Sequence, residues 1–334
     1  MQYRTLGNSD YRISVIGLGT WAFGGGDWKF GWGDQDEKAC IDTMIRAVDL
    51  GINWVDTAAV YGLGLSEQVV GRALKQIPAA DRPLIFTKCG RTDEGGGEIG
   101  KCLRRDSVIA ECEDSLRRLD VDCIDLYQMH WPEPDPEIEE GWQTLIDLQK
   151  QGKVRQIAVS NHSVSQMQRL QNFAPVTSLQ PPYSMIARGV EDEILPFCGE
   201  QNIGVICYSP MGKGLLTGGI TRERMETLSD KDHRTRDPRF QPPQLEVNLQ
   251  FVESLRTIAD DLGWSLPDLA LAWVLRRPEL TAAIVGARSP EQISQTAAAG
   301  DRVLDQSGID RIAQTLTNRQ QALDNLGDLP EARV

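Results

Sequence analysis

The chain is poor in the residues that would support several large classes of function. Its only histidines, His130, His162 and His233, lie far apart. They lack the paired spacing of a zinc or iron site, so no metal is expected. The seven cysteines, Cys40, Cys89, Cys102, Cys112, Cys123, Cys198 and Cys207, are odd in number and scattered. They form neither a disulfide framework nor a metal-ligand pattern, which suits a reducing compartment. Basic side chains are outnumbered, 35 against 48 acidic ones, giving a formal net charge of -13. A field of that sign repels phosphate backbones and anionic bilayers, so neither nucleic acid nor a membrane surface is an expected partner. No segment approaches the roughly 20 apolar residues of a membrane span, and residues 1–7 lack a basic stretch followed by an apolar one. The expectation is a soluble cytoplasmic protein without an export signal.

What the chain does have is rhythm. Short apolar, β-branched runs at residues 13–17, 52–56, 84–88, 123–130, 154–160, 176–180, 204–208 and 281–286 read as buried strands. Between them, residues 36–50, 66–74, 106–119, 137–151, 163–171 and 191–201 carry helical spacing. Near-continuous apolar strands alternating with helices call for a parallel sheet covered by helices. Eight such repeats predict an α/β fold of the (β/α)8 barrel type, with residues 1–334 as one domain. Residues 3–6 and 12–14 flank a Gly-Asn-Ser-Asp turn and predict a small hairpin that plugs the bottom of the barrel. Residues 211–243, rich in Gly, Arg, Asp and Pro, predict a long excursion. Helical patterning at 247–262, 265–276, 290–299 and 308–323 predicts extra helices outside the barrel.

In a barrel of this kind chemistry gathers where strands end. The predicted ends are polar: Asp56, Lys88, His130, Ser160 with Asn161, Gln180 and Tyr208, and Tyr61 stands in the loop after Asp56. Singly, each has a bland reading as a turn cap, a solvated strand end or a satisfied core group. Together on one rim they supply an acid, an activator and carboxamides, which suits reduction of a carbonyl, where an alkoxide must be protonated as it forms. Tyr61 is the candidate acid. An ammonium at Lys88, about 4 Å away at an effective dielectric near 20, would be worth roughly 4 kcal/mol toward lowering the phenol pKa. Asp56 would hold that ammonium charged, and His130 would donate a hydrogen bond to the carbonyl oxygen.

These residues sit in motifs that resemble the aldo-keto reductase superfamily over residues 6–299. Gly17-Leu-Gly-Thr-Trp21 opens the first barrel strand. Asp56-Thr-Ala-Ala-Val-Tyr61-Gly-Leu-Gly-Leu-Ser66-Glu67 is similar to the family signature around its Asp and Tyr, Lys88 follows Ile-Phe-Thr, and His130 ends Asp122-Cys-Ile-Asp-Leu-Tyr-Gln-Met-His130. The resemblance implies Asp56, Tyr61, Lys88 and His130 as the catalytic set and NADPH/NADP+ as cofactor. It also implies cofactor contacts at Thr20 and Trp21, at Ser160, Asn161 and Gln180 around the nicotinamide carboxamide, and at Tyr208 stacking on the ring. Ser209, Pro210, Met211, Lys213 and Gly214 would follow the pyrophosphate, and Gly286, Arg288 and Gln292 would grip the adenosine 2′-phosphate, which guanidinium suits. Gln295 and Thr296 depart from the family's usual Glu-Asn pair. The subgroup resembled is the bacterial general aldo-keto reductases, related to potassium-channel β subunits, with small aldehydes or ketones as expected substrates and a monomer as the expected state, a higher oligomer staying open.

Trp21, Trp28 and Trp131 are expected to wall the substrate pocket. His162 is read as lining the rim without a chemical role, and His233 as solvated in the excursion. Gly17-Leu-Gly19 and Gly62-Leu-Gly64 lack the third glycine of a dinucleotide-binding fingerprint, so no Rossmann unit is expected. Two rival functions stay open on the residues alone. A redox-sensing interaction partner would bind cofactor without turnover, and a lyase or isomerase on the same fold would ignore nicotinamide.

Overall fold

The computed structural model describes residues 1–330 except 27, 97 and 328; the end of the predicted 1–334 domain, residues 331–334, lies outside the described residues. β1 (Tyr3–Thr5) and β2 (Arg12–Ser14) form an antiparallel hairpin in which Tyr3 pairs with Ser14 and Thr5 with Arg12. The strands β3 (Ile16–Gly19), β4 (Trp54–Asp56), β5 (Leu84–Cys89), β6 (Ile124–Met129), β7 (Val154–Ser160), β8 (Ser178–Gln180), β9 (Gly204–Cys207) and β10 (Leu280–Gly286) run parallel and close into a barrel, with β10 beside β3. The fold is the expected (β/α)8 barrel.

The surrounding helices are α1 (Glu37–Asp49), α2 (Leu65–Leu74), α3 (Arg105–Leu119), α4 (Ile138–Lys150), α5 (Val164–Gln171), α6 (Ile194–Glu200), α7 (Arg222–Glu226), α8 (Gln244–Leu262), α9 (Leu266–Leu275), α10 (Pro290–Ala297) and α11 (Gln306–Asp324). Local chemistry sets their starts. Ser163 before α5 and Ser265 before α9 each close a capping box, with Gln166 and Asp268 answering three residues on. α8 and α11 pack on each other, and Arg319 of α11 donates to Asn248 of α8 at 2.8 Å.

One apolar run divides differently from the expectation. Residues 13–17 were expected as the first barrel strand, but residues 12–14 belong to the hairpin and the barrel strand is Ile16–Gly19. The Ser14 hydroxyl donates to the Ile16 carbonyl at 2.7 Å and the Ser14 amide donates to Asn53 at 2.8 Å, so the chain turns out of the hairpin at Val15. Hydrophobicity alone is blind to that break.

The barrel interior explains why the hairpin is there. Leu6 and Ile13 join Trp54, Phe86, Leu126, Ala158, Ile206, Ala282 and Ile284 in one buried cluster inside the strands. The hairpin turn lies against the strand starts: a Cβ on Gly7 would meet the Thr177 carbonyl at 2.2 Å, and Arg4 donates to the Leu280 carbonyl at 2.6 Å. It therefore closes the N-terminal end. Trp54 fills the interior so fully that a Cβ on Gly17 would fall 2.2 Å from its ring, which leaves glycine as the residue that fits there. With the hairpin across that end, the described barrel presents its C-terminal mouth to a ligand.

Candidate active site

Period-two alternation carries the interior packing upward into the site. Two residues beyond Trp54 stands Asp56, two beyond Phe86 stands Lys88, and beyond Leu126 come Gln128 and then His130. Ala158 leads likewise to Ser160, and Ile206 to Tyr208. The apolar layer below thus fixes which polar side chains face the axis above it.

At the centre, the Lys88 ammonium donates to Asp56 at 2.6 Å, to the Thr57 carbonyl at 2.8 Å and to the Tyr61 hydroxyl at 3.4 Å. Lys88 and Asp56 are buried. The second Asp56 oxygen accepts from Gln180 at 2.8 Å and from Gln128 at 3.2 Å, so both oxygens of the carboxylate are held. Gln128 was missed in the sequence, although its place two residues before His130 on the same strand face was a usable signal. The His130 ring meets the Tyr61 ring edge to face, 5.8 Å between centroids. The four expected catalytic residues are therefore assembled at one mouth.

The electrostatics correct one expectation. The Tyr61 phenol was expected to be pulled down by Lys88, but loss of solvent and the Asp56 charge push its pKa well above the ordinary value. Lys88 is itself neutralised by Asp56, its closer partner, and burial outweighs the remaining attraction. Burial likewise lowers the Lys88 pKa, against the pull of Asp56 upward. His130 is driven well below its usual value by burial, with Lys88 and Arg91 adding to the effect. At neutral pH the site thus offers a protonated phenol and a neutral imidazole.

Around this centre lies a ring of polar groups. Ser160 donates to the Gln180 carbonyl at 2.8 Å, Asn161 donates to the His130 carbonyl at 3.0 Å, and the Tyr208 hydroxyl donates to Asn161 at 2.9 Å. Asn161, Ser209 and Lys213 all hold positive φ, at 62°, 53° and 56°. Non-glycine residues rarely adopt that conformation, and such positions gather at ligand sites. Thr20 is buried, with its hydroxyl on the Asp56 carbonyl at 3.1 Å. Pro210 is buried, Ser209 and Met211 are partly so, and Gly286 is open, with no atom of the described residues within 4 Å of a would-be Cβ.

The expected nucleotide end is separate from that centre. Arg288 follows β10, donates to the Trp32 carbonyl at 3.1 Å, and has its pKa lowered by burial and by the guanidinium of Arg234. Gly214 abuts Arg234 as well, with a would-be Cβ 3.5 Å from its nitrogen. Lys213 is paired with Asp237 at 3.2 Å, and burial and Arg239 hold its pKa down. Gln292 accepts from the Arg288 amide at 2.8 Å, Gln295 is exposed, and Thr296 is buried with its hydroxyl on its own helix. Gathered cations, together with the buried Trp32 Nε1, which has no partner among the described residues, are a donor set that fits a polyphosphate-bearing nucleotide. These groups would hold it.

The aromatic wall is larger than expected. Trp21 lies 6.2 Å from Tyr61, nearly parallel to it, and Trp28 lies 6.2 Å from it on a tilt. Trp131 carries Arg91 over its ring at 5.6 Å. His233, expected to be solvated, is buried: it stacks on Trp21 at 4.8 Å and meets Trp32 edge-on at 4.5 Å, with Nδ1 3.3 Å from the Gly31 carbonyl. Burial first, then Lys213, lowers its pKa to about 4, so the ring is neutral. The excursion that holds it is built of short helical turns locked by the buried Asp232–Arg234 and Asp237–Arg239 pairs at 2.6 and 2.5 Å. His162 is buried with Nδ1 2.8 Å from the Ser160 carbonyl, in keeping with the structural reading. Among the described residues no cluster could hold a metal ion, and no helix is long and apolar enough to cross a membrane.

Comparison with known proteins places this architecture. Residues 15–317 match the model of the aldo/keto reductase family. The chain is 39% identical over 294 residues to the aldo-keto reductase YhdN of Bacillus subtilis, covering 88% of this chain and 87% of that protein. It is 36% identical over 306 residues to the NADH-specific methylglyoxal reductase of Escherichia coli, covering 88% and 92%. The solved glycerol dehydrogenase of Gluconobacter oxydans superposes with a TM-score of 0.85 at 36% identity, covering 95% of each chain.

Proposed function

The chain belongs to the aldo/keto reductase family, and from that premise we propose that it is an NADPH-dependent reductase of small aldehydes or ketones, with residues 1–334 acting as one barrel domain. Membership makes it an oxidoreductase that interconverts a carbonyl and an alcohol and uses a nicotinamide cofactor. The finer reading rests on one observation: the Lys88 ammonium bridges Asp56 and the Tyr61 oxygen at 2.6 and 3.4 Å.

Tyr61 acts as the proton donor. Its high pKa keeps the proton on the ring until the substrate oxygen becomes an alkoxide, which is more basic than a phenolate. As the proton leaves, the ammonium hydrogen bond already on the phenolic oxygen stabilises the charge left behind. Asp56, fixed by Gln128 and Gln180, keeps Lys88 charged and aimed. Neutral His130 donates to the carbonyl oxygen, which orients it toward Tyr61 and stabilises developing negative charge. The reduced nicotinamide, when bound, supplies the hydride. Thr20, Trp21, Ser160, Asn161, Gln180 and Tyr208 would hold the nicotinamide end, and Ser209, Pro210, Met211, Lys213 and Gly214 the pyrophosphate. Gly286, Arg288 and Gln292 would hold the adenosine end. Trp21, Trp28 and Trp131 wall the substrate and exclude water.

The preference for NADPH over NADH is drawn from Arg288, whose guanidinium, crowded by Arg234, gains from a phosphate more than from a hydroxyl. The Escherichia coli relative named as NADH-specific marks the rival outcome. Titration with each cofactor, followed by an aldehyde panel, tests the reading. Cofactor oxidation with several aldehydes and tighter NADPH binding is the expected result, and binding without turnover on any carbonyl overturns it.

A further inference from the structure

We propose that Arg91 is a specificity residue that recognises an oxyanion, a carboxylate or phosphate borne a few bonds from the reacting carbonyl. The inference rests on the reductase reading and goes beyond it, because none of the catalytic or cofactor roles above uses this side chain.

Arg91 stands at the mouth, three residues beyond Lys88. Its segment is tied to that of His130 by the His130 amide, which donates to the Cys89 carbonyl at 3.0 Å. Its backbone is held from the side by Glu111 of α3, which accepts from the Gly90 amide at 2.9 Å and from the Arg91 amide as well. The guanidinium lies over the Trp131 ring at 5.6 Å and donates through Nη2 to Glu133 at 2.6 Å. A wall and a clamp thus fix it.

The other edge is different. Arg91 Nη1 is buried and has no hydrogen-bond partner among the described residues, and the side chain is only 12% exposed. A buried donor left unpaired is costly, and more so on a charged group, so a ligand that completes it gains in proportion. Glu133 also binds the Lys101 ammonium at 2.9 Å, so Arg91 shares that carboxylate with a second cation. The field of Arg91 reaches the site, since it contributes to the lowered His130 pKa. A fixed guanidinium with an unpaired edge, beside the tryptophan next to His130, is suited to a planar carboxylate or a phosphate.

The test compares matched pairs on the cofactor-saturated enzyme: 4-oxobutanoate against butanal, and glyceraldehyde 3-phosphate against glyceraldehyde. The expected result is at least a tenfold higher kcat/KM for the charged member of one pair, carried in KM, with the responding pair separating carboxylate from phosphate. In Arg91→Met the ratio falls to near one, and Arg91→Lys, which keeps the charge but loses the fork, retains part of it. In parallel, tryptophan fluorescence is titrated with butanoate and with butanamide, or with inorganic phosphate where the phosphate pair responds. This reads the cation over Trp131 without turnover. An anion response that Arg91→Met abolishes, in an enzyme that reduces no carbonyl, sinks the reductase reading and leaves this one standing. Reduction of neutral aldehydes with no charge preference, or a preference unchanged in Arg91→Met, overturns the assignment.

Discussion

Replacing Asp56 by Asn removes one charge and leaves the shape of the site nearly intact. The ammonium of Lys88 sits 2.6 Å from the carboxylate, and both groups are buried. At that separation and an effective dielectric near 20, the Coulomb attraction is roughly 6 kcal/mol. Breaking a buried pair from one side, which strands the partner charge, typically costs about 3–5 kcal/mol. An asparagine also offers a single oxygen where Asp56 accepts Lys88 on one side and Gln128 and Gln180 on the other, so one set of donors loses its acceptor. The expected loss is therefore about 3–5 kcal/mol, or on the order of 10 °C in Tm for a barrel of this size. Thermal and urea unfolding of Asp56→Asn, Lys88→Met and the double variant measure it. The double variant should be more stable than Asp56→Asn alone, because no charge is left stranded. An Asp56→Asn protein within 1 kcal/mol of the parent by these measurements, or strictly additive losses in the double variant, would refute the buried-pair argument.

Other consequences are as concrete. Arg288→Ala should weaken NADPH binding at least tenfold more than NADH binding, measured by cofactor fluorescence titration; equal losses remove Arg288 from the phosphate site. The pH profile of kcat/KM should show no acid limb between pH 6.5 and 8, because His130 is needed neutral and its pKa lies below its ordinary value. The alkaline limb should fall below pH 10.5 and belong to Lys88, whose lowered pKa makes it lose its proton before the Tyr61 phenol does. A break near pH 6.5 would contradict the neutral imidazole. Gly17→Ala drives a methyl group into the Trp54 ring and should destabilise the fold by about 1–3 kcal/mol in urea unfolding.

Much of this was legible in the chain because strand periodicity ties several polar rim residues to an apolar one two positions earlier. Trp54 before Asp56 and Phe86 before Lys88 mark both the barrel interior and the rim, so Asp56 and Lys88 follow from that pattern, while Tyr61 was read from the loop after Asp56 and His130 from the end of its strand. Features fixed by contacts between distant segments were not legible. His233 stands more than two hundred residues from Trp21 and Trp32, and nothing in its charged surroundings signals that those rings bury it. The direction of the Tyr61 shift depends on how closely Asp56 neutralises Lys88, a matter of ångströms that spacing does not encode. The split at Val15 escaped for a similar reason, since Asn53 and Ser14 hydrogen bonds, not hydropathy, end the hairpin there.

The proton donor is the centre of the account, and Tyr61→Phe tests it most directly, because the ring beside Trp21, Trp28 and His130 is kept and only the hydroxyl is lost. Steady-state reduction of a good aldehyde, with cofactor affinity measured on the same protein, should give a kcat lower by roughly 10²–10⁴-fold and an essentially unchanged cofactor Kd. A kcat within a factor of two of the parent would place the proton on some other group.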